Sequence, residues 1–298
     1  MRLGIDIGGT KTDAVAIDDS GSLTQRIRLA TGFGSAAVVD TAVAAVARIE
    51  ELTGLAAAAF ESIGVGIPGM VDRASGHVTH AVNLGLDRLE LGGELAVRLG
   101  VGVRIENDVK AASLGAYHLM GLDGTMAYLN LGTGLAAGIV VDGTLWRGAG
   151  GIAGEIGHIP VDPNGALCAC GQHGCLETVA SGSGVARQWP TDDPLPVRAL
   201  FTAAAAGKED ARRIKARLAA GIASAVRILV LTADVQTVVI GGGLSHLGDR
   251  LLREVHEVLE GWAQTSPFLA SLSLPERVCL VPEGSLAAAV GAALVGES

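Results

Sequence analysis

Residues 2–18, RLGIDIGGTKTDAVAID, contain two apolar runs joined by a polar turn with two glycines. Apolar, β-branched runs of this length favour strands, and Gly8-Gly9-Thr10-Lys11 is typical of the turn between them. Residues 126–142, MAYLNLGTGLAAGIVVD, repeat the pattern around Gly132-Thr133-Gly134. Strands alternating with helices follow each hairpin, which predicts α/β architecture. The repetition indicates two similar domains, each opening with a glycine-turn hairpin.

The 298 residues are enough for two domains that share a cleft. We predict an N-terminal α/β lobe over residues 1–106 and a larger α/β lobe over residues 107–284. We expect the last helix, within residues 285–298, to return to the first lobe.

Composition and charge narrow the classes of function. Hydrophobic residues make up 49% of the chain but aromatic residues only 3%, so the core must consist mainly of Ala, Val, Leu and Ile. The net charge of −9 argues against nucleic acid and anionic membrane surfaces as partners. The N-terminus shows no signal-peptide pattern, and charge or Gly interrupts the apolar runs before about 18 residues. These features predict a cytoplasmic protein without a membrane-spanning helix.

Three of the four cysteines form a C-x-C-x4-C array, Cys168, Cys170 and Cys175, and His158 lies ten residues upstream. Clustered thiolates with one imidazole suit a tetrahedral Zn²⁺ site. His173 is an alternative nitrogen ligand. Two other interpretations are a buried thiol cluster and a disulfide, although a disulfide would leave one thiol over and nothing indicates an oxidising compartment. The spacing favours zinc.

Three glycine turns follow predicted strands, at residues 8–11, 132–134 and 241–243. Such turns present backbone N–H groups that phosphate oxygens can approach closely. One turn alone is weak evidence because hairpins use Gly in any case, but three in one α/β chain favour phosphate binding. In the first turn, Asp6 could hold hydrated Mg²⁺ and Lys11 could contact a phosphate, although a solvated lysine is the simpler interpretation.

Two familiar nucleotide motifs are excluded. Residues 64–69, GVGIPG, fit G-x-G-x-x-G, but Pro68 and the residues after it do not open a helix. Residues 9–12, GTKT, lack the Gly-Lys pair of a P-loop. The chain is therefore predicted to be neither a Rossmann dinucleotide protein nor a Walker-type NTPase.

Glu106-Asn107-Asp108 lies where a predicted strand ends and a helix begins. Asn and Asp are good helix caps, which is the structural interpretation. In the functional interpretation Asp108 is a general base and Asn107 is the hydrogen-bond partner that orients it. The residues alone favour the structural and the functional interpretation equally.

Seven motifs, in this order and over nearly the whole chain, resemble those of the ROK sugar kinases of the actin-like ATPase superfamily. They are DIGGTK at 6–11, GIPG at 66–69, END at 106–108, LGTG at 131–134, GGIAGEIGH at 150–158, CACGQHGCLE at 168–177 and IGGGLS at 240–245. The resemblance implies a two-lobe, ribonuclease H-like α/β fold with a cleft between the lobes and a zinc-binding loop.

The resemblance also implies residue roles. Asp108 matches the catalytic base that takes a proton from the sugar's primary hydroxyl. The other positions matching sugar ligands are Asn83, Asn107, Glu155, His158 and Glu177. Positions implied to contact ATP or its Mg²⁺ are Asp6, Gly8, Gly9, Thr10, Lys11, Gly132, Thr133, Gly134, Gly242 and Gly243. The implied zinc ligands are His158, Cys168, Cys170 and Cys175.

Among ROK kinases, the CxCGxxGCLE form resembles that of glucokinase-like members, which makes glucose the expected substrate. Leu86 is a departure, because those members often carry a Trp near this position. The alternatives are N-acetylmannosamine or another hexose as substrate and polyphosphate as phosphoryl donor. Members of the family are commonly dimers, and we expect a homodimer or a higher homo-oligomer here. The family also contains sugar-responsive repressors, but the acidic charge and a DIGGTK turn starting at residue 6 argue against a DNA-binding domain.

Overall fold

The computed structural model describes residues 1–296; residues 297 and 298 of the predicted C-terminal segment lie outside the described part. The strands are β1 (Arg2–Ile7), β2 (Lys11–Ile17), β3 (Leu23–Ala30), β4 (Ser62–Ile67), β5 (Met70–Asp72), β6 (His77–Ala81), β7 (Leu86–Leu89), β8 (Arg104–Asn107), β9 (Thr125–Leu131), β10 (Leu135–Val141), β11 (Thr144–Trp146), β12 (Thr237–Gly241) and β13 (Val278–Leu280). The helices are α1 (Ser35–Thr53), α2 (Leu91–Leu99), α3 (Asp108–Leu119), α4 (Glu177–Ala180), α5 (Gly182–Gln188), α6 (Pro196–Ala205), α7 (Glu209–Ala233), α8 (Asp249–Thr265), α9 (Pro267–Ser271) and α10 (Ala287–Val295).

The first hairpin begins a five-stranded mixed sheet of order β3-β2-β1-β4-β8. Strands β1, β2 and β3 pair antiparallel, whereas β4 pairs in parallel with both β1 and β8. Each parallel connection contains a helix, α1 or α2, as parallel pairing requires. The carboxyl ends of β1, β4 and β8 therefore lie at one edge of the sheet.

The second hairpin leads into a sheet with the corresponding order, β11-β10-β9-β12-β13. Here too the hairpin strands are followed by parallel ones, because β12 pairs in parallel with β9 and with β13. The predicted α/β fold with two similar glycine-turn hairpins is confirmed.

Close packing on the first sheet depends on glycines. Helix α10 packs on β1 and β4, where a Cβ on Gly4 or Gly64 would overlap the α10 backbone. Gly115 of α3 and Gly291 of α10 face each other's backbones in the same way. Small residues let the two helices approach closely, which suits the Ala-rich sequence of α10.

The chain folds into two compact units. The first contains Met1–Asp123, Gly138–Gly151 and the segment from Gly284, and the second contains Gly124–Ala137 and Ile152–Glu283. These bounds differ from the predicted division at residues 106 and 107, because α3 packs on α10 and so belongs to the first unit.

Three details depart from the sequence expectations. A small antiparallel sheet, β5-β6-β7, was not expected, since its strands have only three to five residues. Ser is a frequent helix cap, so the sequence predicts that Ser35 caps a helix over residues 36–52, but Ser35 is the first helical residue of α1 and Gly34 precedes it without a side-chain cap. Helix α7 has 25 residues and is long and apolar enough to cross a membrane, although no such segment was expected. Half of the most apolar 18-residue stretch of α7 is buried within the protein, as in a core helix.

Candidate active site and cysteine cluster

Two predicted site residues of the first unit, Asp6 and Asp108, lie at the carboxyl ends of parallel strands. In the strand register Asp6 lies beside Gly66, and Gly66 lies beside Glu106. A Cβ on Gly66 would lie 3.6 Å from the Cα of Asp108. Glycine at this position thus leaves room for the first turn of α3, and the sheet brings Asp6 and Asp108 to the same edge.

Asn107 is both a helix cap and a support for Asp108. Its Oδ1 accepts hydrogen bonds from the backbone N–H groups of Val109 (3.0 Å) and Lys110 (3.2 Å), which satisfies the start of α3. Its Nδ2 donates to the Gly69 carbonyl (3.1 Å) and to Asp108 Oδ1 (3.0 Å). Asp108 Oδ1 also accepts from the Val109 N–H at 2.9 Å. The structural and functional interpretations of Asn107 are therefore compatible.

Charged side chains form an ion pair and hydrogen bonds around residues 106–110. Buried Glu106 forms an ion pair with Arg147, with 2.8 Å between Oε2 and Nε, and its Oε1 accepts from the Asn107 N–H at 3.1 Å. Lys110 is also buried, and its ammonium group donates to the Gly151 carbonyl. Sequence reasoning missed the contributions of Lys110, Arg147 and the Gly69 carbonyl. Lys110 could have been noticed, since it is one of only four lysines in the chain.

The pKa of Asp6 is raised from 3.8 to about 7, first by burial and then by the nearby carboxylates Asp108 and Asp13, whereas Lys11 and Arg28 lower it. Part of the influence of Asp13 is offset locally, because Arg28 forms two hydrogen bonds with it, of 2.6 and 2.9 Å. A half-buried carboxyl group with like charges nearby is a suitable place for a cation.

The first glycine turn is closed by a hydrogen bond of 3.0 Å from the Gly8 N–H to the Lys11 carbonyl. Gly9, Thr10 and Lys11 are exposed. Asn83 is also exposed, and a Cβ on Gly9 would contact the Cβ of Asn83 at 3.4 Å. The structure thus places the predicted phosphate turn beside one predicted sugar ligand.

The second unit brings the other two glycine turns together. The parallel pairing of β9 and β12 places Gly241 beside Asn130. Gly242 has a φ of 81° and packs so closely on Leu131 that a Cβ would lie 2.7 Å from the Leu131 carbonyl carbon. A side chain at position 242 would be both strained and obstructed. Gly243, in contrast, has open space around it.

The turn at 132–134 is tied to the residues around it. The carbonyl groups of Gly132 and Thr133 accept from Gly182 (2.9 Å) and Ser183 (3.0 Å) at the start of α5. Glu177 Oε2 accepts from the Leu135 N–H at 2.9 Å, so this predicted sugar ligand also supports the turn. The second predicted carboxylate of this unit, Glu155, is exposed and precedes a short 3₁₀ turn at 156–158.

The four predicted metal ligands form one cluster. The ligand atoms of His158, Cys168, Cys170 and Cys175 all lie within 4.8 Å of one another. Cys168 Sγ is 3.7 Å from His158 Nδ1, and the sulfurs of Cys170 and Cys175 are 3.6 Å apart. The alternative ligand, His173, has its Nδ1 3.2 Å from the Gly165 carbonyl oxygen, and it is not in the cluster.

These distances fit a tetrahedral metal ion. Zinc–sulfur bonds of about 2.3 Å place two sulfurs of a tetrahedron about 3.8 Å apart. The cysteines are free thiols, in disagreement with the disulfide interpretation. Hydrogen bonds from the Gln172 backbone and side chain lower the pKa of Cys170 to about 6, whereas burial raises that of Cys175 to about 12. A bound cation would favour the thiolate form of all three.

Comparisons with known proteins agree with this arrangement. The ROK family matches residues 2–297. A glucokinase from Halalkalibacterium halodurans is 32% identical over 282 residues, covering 88% of this chain and 86% of that protein. An N-acetylmannosamine kinase from Salmonella arizonae is 35% identical over 275 residues, covering 91% of both. The structure of a ROK family glucokinase from Streptomyces griseus in complex with glucose and AMPPNP has 30% identity, a TM-score of 0.79 and 99% coverage of both chains.

The fold and these similarities define an enzyme, a sugar kinase with an α/β mixed-sheet fold. The chain belongs to the ROK family. A sugar kinase acts on a sugar and a phosphoryl donor, so ATP and Mg²⁺ follow from this class.

Proposed function

We propose that this kinase transfers the γ-phosphoryl group of ATP to the 6-hydroxyl of glucose, with Asp108 as the general base. The observation that carries the proposal is the support of Asp108 by Asn107 and the α3 N-terminus. The glucokinase similarity supports glucose as the substrate. N-acetylmannosamine is the second candidate, because a kinase for that sugar is 35% identical.

In the proposed reaction, Asp108 accepts the proton of the sugar hydroxyl while the hydroxyl oxygen bonds to the γ-phosphorus and ADP leaves. Asn107 holds Asp108 Oδ1 so that the carboxylate keeps one orientation. Phosphoryl transfer depends mainly on positioning and neutralisation of charge. The glycine turns and Lys11 would bind the phosphates, and Asp6 would hold Mg²⁺, which neutralises charge on the nucleotide when bound.

Asn83, Asn107, Glu155, His158 and Glu177 are the proposed sugar ligands. Carboxylates and amides suit this role, because each can hydrogen-bond to more than one sugar hydroxyl. His158 directs Nδ1 toward the cluster, and we assign its Nε2 to the sugar. Zinc is the proposed metal of the four-residue cluster, where it would fix the orientation of this ring.

The test is a panel of sugars containing glucose, N-acetylmannosamine and fructose, each measured with ATP and with polyphosphate. The expected result is the highest kcat/KM for glucose with MgATP and a product phosphorylated at the 6-hydroxyl. A higher kcat/KM for N-acetylmannosamine would favour the second candidate. Turnover with polyphosphate in place of ATP would change the proposed donor.

We also propose that the enzyme is a cytoplasmic homodimer. The free thiols of the cluster suit a reducing compartment. The cysteine loop runs from His158 to Cys175, and three of its apolar side chains, Ile159, Val161 and Leu167, are exposed. Exposed apolar side chains are common at interfaces between subunits. Light scattering on the purified protein should give the mass of a dimer, and a monomer at micromolar concentration would contradict this part of the proposal.

A further inference from the structure

Phe33 is an exposed aromatic residue in a protein that has few of them. The chain contains nine aromatic residues, and 75% of the surface of Phe33 is accessible to solvent. An aromatic ring presents a large apolar area that a bound ligand can cover. Phe33 lies between β3 and α1, in a loop to which no predicted role was assigned.

The Phe33 ring lies beside the segment that contains Asn83. A Cβ built on Gly85 would lie 2.6 Å from the ring carbons Cε1 and Cζ, so the ring covers this glycine. The next backbone group along the loop, the Gly34 N–H, donates to the Leu84 carbonyl at 2.9 Å. Leu86 is only 2% exposed and faces the core, so it provides no apolar surface here.

The loop between β3 and α1 is hydrogen-bonded to the first glycine turn. The Thr31 N–H donates to the Thr10 carbonyl at 3.1 Å, and the hydroxyls of Thr31 and Thr12 are 2.9 Å apart. A further hydrogen bond of 3.3 Å joins the Gly32 N–H to Thr41 Oγ1 of α1. Phe33 is therefore presented by a loop that is anchored on both sides.

From this placement we infer that Phe33 binds the sugar substrate, forming an apolar wall beside Asn83 against the C–H face of a pyranose ring. Binding sites for small molecules combine apolar and aromatic surfaces with a few placed polar groups, and Asn83 with Phe33 forms such a pair. The inference rests on the proposed function, because the occupant of the site is the hexose that the enzyme phosphorylates.

The experiment compares Phe33→Ala, Phe33→Tyr and the control Phe268→Ala with the wild type. Phe268 is also an exposed phenylalanine, with 61% of its surface accessible, but it belongs to α9 in the second unit. Glucose Kd is measured by calorimetry, and KM for glucose, KM for ATP and kcat are measured by ADP release. Thermal unfolding verifies that each variant is folded.

We expect Phe33→Ala to raise the Kd and KM of glucose ~3- to 10-fold, the size of one aromatic contact, with kcat and the KM of ATP little changed. Phe33→Tyr should restore most of the affinity, and Phe268→Ala should behave as the wild type. Unchanged glucose Kd in folded Phe33→Ala would overturn the inference. An equal rise in the KM of ATP would also overturn it, because the substitution would then act through the Thr31–Thr10 contact.

Failure of the proposed function would give a different result. Wild-type enzyme that phosphorylates another hexose but not glucose would overturn the proposal of glucose as substrate. The effect of Phe33→Ala is then measured with that hexose, and the same comparison of sugar and nucleotide constants decides whether Phe33 contacts the sugar.

Discussion

The segment around Asp108 and the cysteine loop are organised by different interactions. Asn107 and Asp108 are held by the parallel strands β4 and β8, a helix N-terminus and four hydrogen bonds of the Asn107 side chain, two donated and two accepted. The loop from His158 to Cys175 has two isolated β-bridges, Pro160 with Cys175 and Leu167 with His173, and its four ligand side chains converge on one point. Regular secondary structure holds the first region, whereas the second is held by backbone hydrogen bonds within the loop, such as that from the Val161 N–H to the Gly174 carbonyl (2.8 Å), and offers four side chains that a metal ion could join.

The largest expected effect tests the first region. Asp108→Asn should lower kcat ~10²–10⁴-fold, because the amide cannot accept the proton. Glucose affinity and thermal stability should change little, since the substitution keeps the shape of the side chain. Steady-state kinetics and calorimetry measure these quantities. Asp249→Asn is the matched control, because Asp249 is also the first residue of a helix. Turnover within a few-fold of wild type would show that Asp108 serves only the helix.

Removal of the proposed zinc tests the second region. Cys170→Ala, or treatment of the wild type with a chelator, should raise the Kd of glucose ~10–100-fold, because the loop that carries His158 would lose its order. The Kd of the nucleotide should change less, since the glycine turns are held by sheet pairing. Calorimetric titration with each ligand makes the comparison. Cys279→Ala, outside the cluster, is the control. Unchanged glucose affinity in protein verified to be metal-free would refute the coupling.

Asp6 should make the first region sensitive to pH. The pKa of Asp6 is about 7 in the folded protein and about 3.8 in the unfolded protein. Between pH 3.8 and pH 7 the folded state therefore binds more protons at this group than the unfolded state does. The contribution of Asp6 to the free energy of unfolding is complete below about pH 4 and is lost as the pH rises through 7. Asp6→Asn does not titrate, so it should be more stable than the wild type at pH 8, by on the order of 2 kcal/mol, and should lose this advantage toward pH 4.

Urea unfolding of both proteins in metal-free buffer at pH 4.5 and pH 8 measures the difference. Asp87→Asn, at an exposed position of the first unit, is the control and should show no comparable change. A stability difference between Asp6→Asn and wild type that is the same at both pH values would contradict the assigned burial of this carboxyl group.

The smallest effect separates the two roles of Asn107. Asn107→Ala removes the cap and should cost about 1 kcal/mol of stability, together with a loss of kcat. Asn107→Asp keeps the acceptor oxygen for Val109 and Lys110 but loses the donor to Gly69 and Asp108. It should keep most of the stability and still lower kcat. Urea unfolding and kinetics of both variants give this comparison, and full activity of Asn107→Asp would limit Asn107 to capping.

Local patterns predicted much of this arrangement. The hairpin strands were expected within residues 2–18, on both sides of the glycine turn, and are found at Arg2–Ile7 and Lys11–Ile17, because apolar runs and a glycine turn are strong local signals. The three clustered cysteines and the need for a nitrogen ligand also follow from spacing and residue chemistry, which left His158 and His173 as alternatives. The strands of the β5-β6-β7 sheet were missed, because so few residues show little periodicity. The catalytic roles and the ATP and sugar contacts of the other site residues remain predictions.

The sequence by itself determined the α/β fold, the two glycine-turn hairpins and the residue types of the Cys/His cluster, because each depends on neighbours along the chain. Tertiary structure decided which histidine joins the cysteines, since His158 and His173 are both close in sequence but only His158 faces the thiols. It also decided the environment of Asp6, the partners of Glu106 and Lys110, and the position of Phe33 over Gly85. Those contacts join residues far apart in the chain, and their distances are set by sheet register and helix packing.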